Sequence, residues 1–201
     1  VEDFFFKDNK GRISAIDVSN DNEEFLGIVL EEDFHLSFPF VFKENNNLYM
    51  VPECSNSNQI RLYECTEFPM KWKFKCILMD SVSAVDTLLI KKEDFWFMLT
   101  NICTANIYNH SSELHIFYSD KLFSNNWTPI KQTNPVIFDS RQARNGGIFF
   151  EEGNIYRVNQ VQNPDTYGYS LKINLVKKLD KFIYEEQTID EIMPFFKNDI
   201  F

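Results

Sequence analysis

The chain has 201 residues and carries 20 Lys and Arg against 30 Asp and Glu, a formal net charge of −10. That balance, without a basic stripe, argues against duplex DNA and other polyanions as partners, because no cationic surface is offered to displace counterions. With 21 Phe and 8 Tyr but only 6 Gly and 7 Pro, the sequence is not that of a disordered or low-complexity segment.

Taken in chain order, the apolar runs read as short strands bounded by Asn, Asp, Ser and Gly. Residues 4–6, 11–18 and 25–30 suit the second, third and fourth strands of a unit whose first strand lies outside the chain. Residues 39–51 then form an apolar strand, a polar turn and a second apolar strand, and residues 87–99 and 146–158 repeat that template. The repeats start 48 (87 − 39) and 59 (146 − 87) residues apart, the range of a four-stranded propeller blade. Behind each of the first two hairpins comes a Tyr followed nine residues later by a Trp, Tyr63 to Trp72 and Tyr118 to Trp127. These tryptophans recur with the repeat and therefore read as packing residues between strands. Residues 73–78 alternate polar and apolar side chains as a half-exposed outer strand does, and residues 167–175 and 182–188 supply the third and fourth strands of the last unit. Only residues 189–196 carry a weak helical pattern.

The expected fold is therefore all-β, an arc of about three and a half propeller blades forming a single domain. Residues 1–33 end the first blade, 34–82 form the second, 83–140 the third and 141–190 the fourth. An open arc exposes sheet edges, so the chain reads as a piece of a longer protein. Cys54, Cys65, Cys76 and Cys103 have no CxxC spacing and sit in strand-like runs, which favours reduced thiols over zinc ligands or disulfides. No segment approaches the roughly 20 apolar residues that span a bilayer. No signal peptide is seen, an absence that says little in a chain opening at Val1 without a methionine; the expected compartment is cytoplasmic. The glycosylation acceptor patterns at Asn109 and Asn126 carry little weight in an Asn-rich chain.

A series of short motifs then follows in a characteristic order: His35-Leu-Ser-Phe-Pro-Phe40, Tyr49-Met-Val-Pro-Glu53, Arg61-Leu-Tyr63, Val85-Asp-Thr87, Phe117-Tyr-Ser-Asp120, Asn134-Pro-Val136, Ala143-Arg144 and Tyr167-Gly168. Together they resemble the N-terminal domain of the glucosamine inositolphosphorylceramide transferase family, over roughly residues 4–188. That domain is similar to the five-bladed propeller of glycoside hydrolase family 43. The resemblance implies a carbohydrate-linked role, further blades and a catalytic domain in the parent chain, and a saccharide or sugar-phosphate ligand near the strand starts. It also exposes departures, since Arg144-Asn-Gly-Gly147 and Gln160-Val161 replace the family's Arg-Pro-Ala-Gly and Gln-Asp.

In family 43 hydrolases the starts of the innermost strands line the cavity and supply three acids. The matching positions here offer His35 and Ser37, Asp86, and Arg144, so only one start carries an acid. Glycoside hydrolysis needs two flanking carboxyl groups. Asp86 and Glu53 are the candidate catalytic pair, each with a competing reading as a partnered strand-end or solvated loop acid. Arg144 could clamp a phosphate or carboxylate with its planar fork, or serve as an ion pair between blades. His35 and Ser37 are candidate sugar contacts, with a lone structural histidine as the competing reading, and Arg61, Arg157 and Gln160 are weaker binding candidates. In strict alignment Asp86 and Arg144 point to opposite faces of their strands, so a bulge is required to aim both inward. The leading expectation is a carbohydrate-binding or carbohydrate-active propeller attached to glycan synthesis, with a family 43 type hydrolase and a non-catalytic scaffold as alternatives. No metal ligands and no cofactor are assigned.

Overall fold

A computed structural model describes residues 1–19, 22–104, 110–163 and 166–194. The chain folds as four sheets in sequence order, the propeller arrangement, in which each unit pairs its strands consecutively. The first sheet orders β1 (Glu2–Phe5), β2 (Lys10–Asp17) and β3 (Glu24–Leu30). The second runs β4 (Ser37–Glu44), β5 (Asn47–Glu53), β6 (Gln59–Glu67) and β7 (Lys71–Asp80). The third contains β8 (Ala84–Lys92), β9 (Phe95–Ile102), β10 (Glu113–Ser119) and β11 (Thr128–Pro129), with β12 (Ile137–Phe138) also paired to β10. The fourth runs β13 (Asn145–Glu151), β14 (Asn154–Asn163), β15 (Thr166–Leu179) and β16 (Tyr184–Ile192). Two compact units result, one of Val1–Met98 with Ser119–Thr128, the other of Leu99–Tyr118 with Pro129–Phe201.

Local chemistry explains the repeated hairpins. In the first unit, Glu44 faces Asn47 across a two-residue turn, and both Asn45 (φ 48°) and Asn46 (φ 67°) occupy the left-handed region, as a type I′ turn requires. In the second unit, Glu151 faces Asn154 across Glu152 (φ 49°) and Gly153 (φ 78°), the same device with Gly in its preferred place. β8 is buried without a break from Ala84 to Ile90, which is why its sequence is a continuous apolar run instead of an alternating one.

Two expectations are corrected. The third sheet does not have a full outer strand after Trp127. Pro129 and Pro135 remove ladder N–H groups on either side of a short polar stretch, and the outer strand shrinks to the two residues of β11. The weak helical pattern at residues 189–196 yields no helix either, since β16 continues to Ile192. Cross-strand pairing with β15, as in Ile173 with Asp190, overrides the local periodicity. Residues 195 and 196 lie outside the described residues.

In the first unit a core cluster joins Ile13 and Leu30 of the first sheet to Met50 and Tyr63 of the second through Leu36, and Trp72 packs against it. Trp72 Nε1 donates to the Pro69 carbonyl at 2.8 Å, and Trp127 Nε1 donates to the Ser124 carbonyl at the same 2.8 Å. The recurring tryptophans are thus fixed by one loop geometry, each bonded three residues back. All four cysteines are free thiols. Burial pushes the Cys54 thiol up from its ordinary value. Among the described residues no helix is long and apolar enough to cross a membrane.

Candidate functional site

In the first unit the starts of the innermost strands depart from regular geometry. Ser37 sits opposite Glu53, the next pair is Phe40 with Val51, and the extra residue on β4 makes a bulge. Within it Phe38 takes φ 40°. Asp86, at the equivalent place in the β8–β9 hairpin, takes φ 50°. Non-glycine residues in the left-handed region cost on the order of 1–3 kcal/mol and persist only where surrounding packing fixes them. Bulges of the kind that re-aim strand side chains are present between Ser37 and Phe40 of β4 and between Asn145 and Gly147 of β13. Asp86 is 2% exposed between buried Val85 and Thr87, so its carboxylate is enclosed and needs compensation for lost water. Glu53 is half-buried, and its Oε1 accepts a 3.4 Å bond from the Ser55 hydroxyl.

His35 and Arg61 serve the packing of the first unit. The His35 Nδ1 accepts the Gly11 N–H at 2.8 Å, and Nε2 lies 3.6 Å from Glu2. That bond assigns the neutral ring's proton to Nε2. A Cβ on Gly11 would stand 2.4 Å from the Leu36 carbonyl and 2.7 Å from the imidazole, so only glycine allows this approach. Arg61 lies over Phe34 at 4.7 Å and Phe74 at 5.6 Å, and its Nε donates to Gln59 at 2.7 Å. Glu32, 4.0 Å from that guanidinium, accepts the Tyr63 hydroxyl at 2.7 Å.

The second unit holds a buried polar network around the segment that carries Arg144. Arg157 is fully buried and all its donors are engaged. Nε and Nη2 grip Glu186 at 2.8 and 2.7 Å, Nη1 reaches the Ala143 carbonyl and Asn145 Oδ1, and Nη2 also reaches the Gln142 carbonyl. Burial opposes the guanidinium charge, but the Glu186 carboxylate more than offsets it and holds Arg157 protonated. The Tyr184 hydroxyl donates to Glu186, and burial raises that phenol, with Glu186 adding to the effect. Asn101 donates to the Ala143 carbonyl at 2.9 Å and accepts the Asn145 N–H at 2.9 Å, while Asn159 donates to the Arg141 carbonyl at 3.2 Å. Gln160 closes the far side, donating its N–H to the Arg144 carbonyl at 2.9 Å and its amide to the Asn145 carbonyl at 2.8 Å. Residues 141–145 are thus pinned by backbone contacts on several sides. Arg144 itself is half-buried at the start of β13, one residue before the bulge between Asn145 and Gly147.

The structure therefore brings Ser37 and Glu53 together on paired strands, and Arg157 and Gln160 onto the Arg144 segment. It stacks Arg61 over Phe34 and Phe74 and bonds His35 to Gly11. Sequence reasoning missed Asn101, Asn145, Asn159 and Asn174, each at most 1% exposed, whose signal was an amide inside an otherwise apolar strand run. It also missed Glu113, 1% exposed, whose Oε2 lies 3.0 Å from His115 Nε2 and accepts the Thr104 hydroxyl at 2.6 Å. Among the described residues no group of three or more His, Cys, Asp or Glu could hold a metal ion.

Comparison with known proteins agrees with this architecture. The model of the family "glucosamine inositolphosphorylceramide transferase 1, N-terminal" matches residues 7–196. Glucosamine inositolphosphorylceramide transferase 1 of Oryza sativa subsp. japonica is 37% identical over 170 residues, covering 83% of this chain and 22% of that protein. Its Arabidopsis thaliana counterpart is 34% identical over 166 residues, covering 81% and 21%. The chain thus spans about a fifth of the length of these relatives. Among solved structures, the catalytic domain of the Coprinopsis cinerea GH62 α-L-arabinofuranosidase superposes with a TM-score of 0.67 at 10% identity, covering 92% of this chain and 61% of that one. The Cellvibrio cellulosa α-L-arabinanase gives 0.61 at 12%, covering 88% and 69%, and the Phanerochaete chrysosporium exo-β-1,3-galactanase gives 0.58 at 11%, covering 78% and 38%. At these identities the likeness establishes the propeller fold alone. With nearly its whole length matched, the chain belongs to the family of the glucosamine inositolphosphorylceramide transferase 1 N-terminal domain.

Proposed function

We propose that this chain is a carbohydrate-recognising domain of a protein of glycan or glycolipid synthesis, binding a saccharide or sugar phosphate through residues at the starts of its innermost strands. In the first unit these are Asp86 and Ser37, with Glu53 opposite Ser37 at the end of β5; Arg144, in the second unit, is a separate candidate for a phosphate or carboxylate. The observation that carries the reading is the deformation of those starts, which buries Asp86 at φ 50° on β8 and places Arg144 on a segment bonded from several sides. Rigid presentation of a few polar groups is how binding sites gain affinity. A guanidinium fork suits a phosphate or uronate, and a carboxylate suits sugar hydroxyls. Arg157 and Gln160 act as supports, and His35 and Arg61 as packing residues.

Binding is favoured over cleavage because hydrolysis requires an ionised and a protonated carboxyl flanking the bond. Ser37 and Arg144 stand at two of the three described strand starts, leaving Asp86 as the acid. Calorimetric titration with nucleotide sugars, sugar phosphates and neutral saccharides tests the proposal. A saccharide or sugar phosphate is expected to bind, with affinity falling at least about tenfold, or ~1.4 kcal/mol, in Asp86→Asn for a site on the first unit or in Arg144→Gln for one on the second. Heat-silent titrations across all three classes would refute it, and aryl-glycoside cleavage that disappears in Asp86→Asn would replace it with the hydrolase.

A further inference from the structure

We infer that Phe38 is a stacking residue of the first unit's strand-start site. The group it receives is a pyranose ring, with its C–H face against the phenyl ring and its hydroxyl edge toward Asp86. The inference rests on the carbohydrate reading of those strand starts and adds to it a binding residue and a ligand feature.

The repeat gives Phe38 and Asp86 equivalent places. Phe38 stands one residue before the hairpin template that begins at Pro39, and Asp86 one residue before the template that begins at Thr87. Both take the left-handed conformation, at φ 40° and φ 50°. β8 packs against β4 and β5, so the two turns lie on neighbouring strands of one unit. Aspartate visits this region at modest cost, whereas a phenylalanine there is an outlier. Phe38 also precedes Pro39, whose ring steers the residue before it toward extended geometry.

Packing does not account for that turn. Further along β4, Phe40 stacks on Phe42 at 5.8 Å, and Phe42 packs on Trp96 of β9 at 5.6 Å. An unbroken strand would add Phe38 to this row, because alternate residues share a face. The bulge between Ser37 and Phe40 takes it out instead. Among the described residues no second ring lies against Phe38, and it is left half-buried beside Ser37, which is 7% exposed. A strand that gives up the burial of a phenyl ring and holds a disfavoured φ is presenting that side chain. A fixed, half-wet ring offers its flat face to apolar C–H groups at little entropic cost, and the enclosed Asp86 carboxylate accepts from hydroxyls. A pyranose carries both features, C–H bonds on one face and hydroxyls around the edge, which an acyclic polyol or a free phosphate does not.

Titration of the 201-residue chain with methyl β-galactopyranoside, methyl β-glucopyranoside, sorbitol and uridine monophosphate tests the inference, read by calorimetry and by NMR shifts. At least one pyranoside is expected to bind, and sorbitol, which has hydroxyls but no ring face, at least about tenfold more weakly. Phe38→Ala should weaken pyranoside binding at least about tenfold and Phe38→Leu at least about fivefold, while Phe38→Trp, which keeps a flat face, retains it. Phe38→Gly separates a site residue from a core residue: glycine relieves the φ, so binding is lost while the thermal midpoint rises or stays within about 3 °C of the parent. A larger fall in that midpoint would make Phe38 a core residue and overturn the inference. Pyranoside binding weakened by Asp86→Asn but not by Phe38→Ala would overturn it and leave the strand-start reading standing. Uridine monophosphate binding that depends on Phe38 would assign the ring to a nucleobase and overturn it too. Failure of both pyranosides to bind would do the same, the strand-start reading itself falling only with the wider panel of saccharides and sugar phosphates.

Discussion

Replacing Arg157 by leucine would strand the Glu186 carboxylate in a site from which Arg157 excludes water, and would release the carbonyls of Gln142 and Ala143. Breaking a buried ion pair on one side costs about 3–5 kcal/mol. The expected outcome in denaturant unfolding is a loss of that order for Arg157→Leu and a smaller one for Arg157→Lys, which keeps the charge but not the fork. If Arg157 only supports the Arg144 segment, the lysine variant retains ligand binding with reduced affinity; abolished binding at preserved stability would mark Arg157 as a contact residue. The same scale explains Gly11. Its missing Cβ lets the Leu36 carbonyl and the His35 ring close on the backbone, so Gly11→Ala should destabilise by about 1–3 kcal/mol through overpacking. A thermal midpoint unchanged within a degree or so would refute that account. From the sequence, Arg157 reads as a weaker binding candidate and Gly11 as one of several glycines. Neither the carboxylate that neutralises the first nor the backbone that approaches the second is a neighbour in the chain.

At the scale of elements, β2 is tied to the segment after β3 by Arg12, whose Nε reaches Glu31 at 2.7 Å and whose Nη2 reaches Asp8. The bond to Arg12 holds the Asp8 and Glu31 carboxyls below their ordinary values of 3.8 and 4.5. Because the folded values are the lower ones, the stabilising contribution is complete above the ordinary values and is lost as pH falls through the lowered ones. Arg12→Met should therefore lower the thermal midpoint at neutral pH, and the gap to the parent chain should close in acid. A gap that widens in acid would contradict the assignment. Elements also show where pattern and structure part. The hairpins of β4–β5 and β13–β14 were legible as apolar, polar-turn, apolar runs, because two-residue turns rest on the local φ of Asn46 and Gly153. The short β11 was not legible from the repeat, and the need for a bulge was legible in the alternation of Asp86 and Arg144 while the places of the bulges at Ser37–Phe40 and Asn145–Gly147 were not. A strand bulge depends on which residues of its partner it must match.

For the molecule as a whole, the net charge of −10 sets what it will meet. Duplex DNA should fail to bind at physiological salt in a mobility-shift assay, and a salt-sensitive shift would contradict the reading of the surface as a polyanion-repelling one. Four successive sheets, a Tyr-to-Trp spacing kept in two of them and a family match over residues 7–196 all follow from information carried along the chain. Repeat length, strand periodicity and turn chemistry are local quantities, and each sheet forms from consecutive strands, so the sequence by itself determined the all-β propeller class and the places of its hairpins. Which polar residues are buried joints was decided only by tertiary structure. Arg157 is one more strand cation in the sequence, and only packing brings the Gln142 and Ala143 carbonyls, the Asn145 amide and the Glu186 carboxylate within its hydrogen-bond reach.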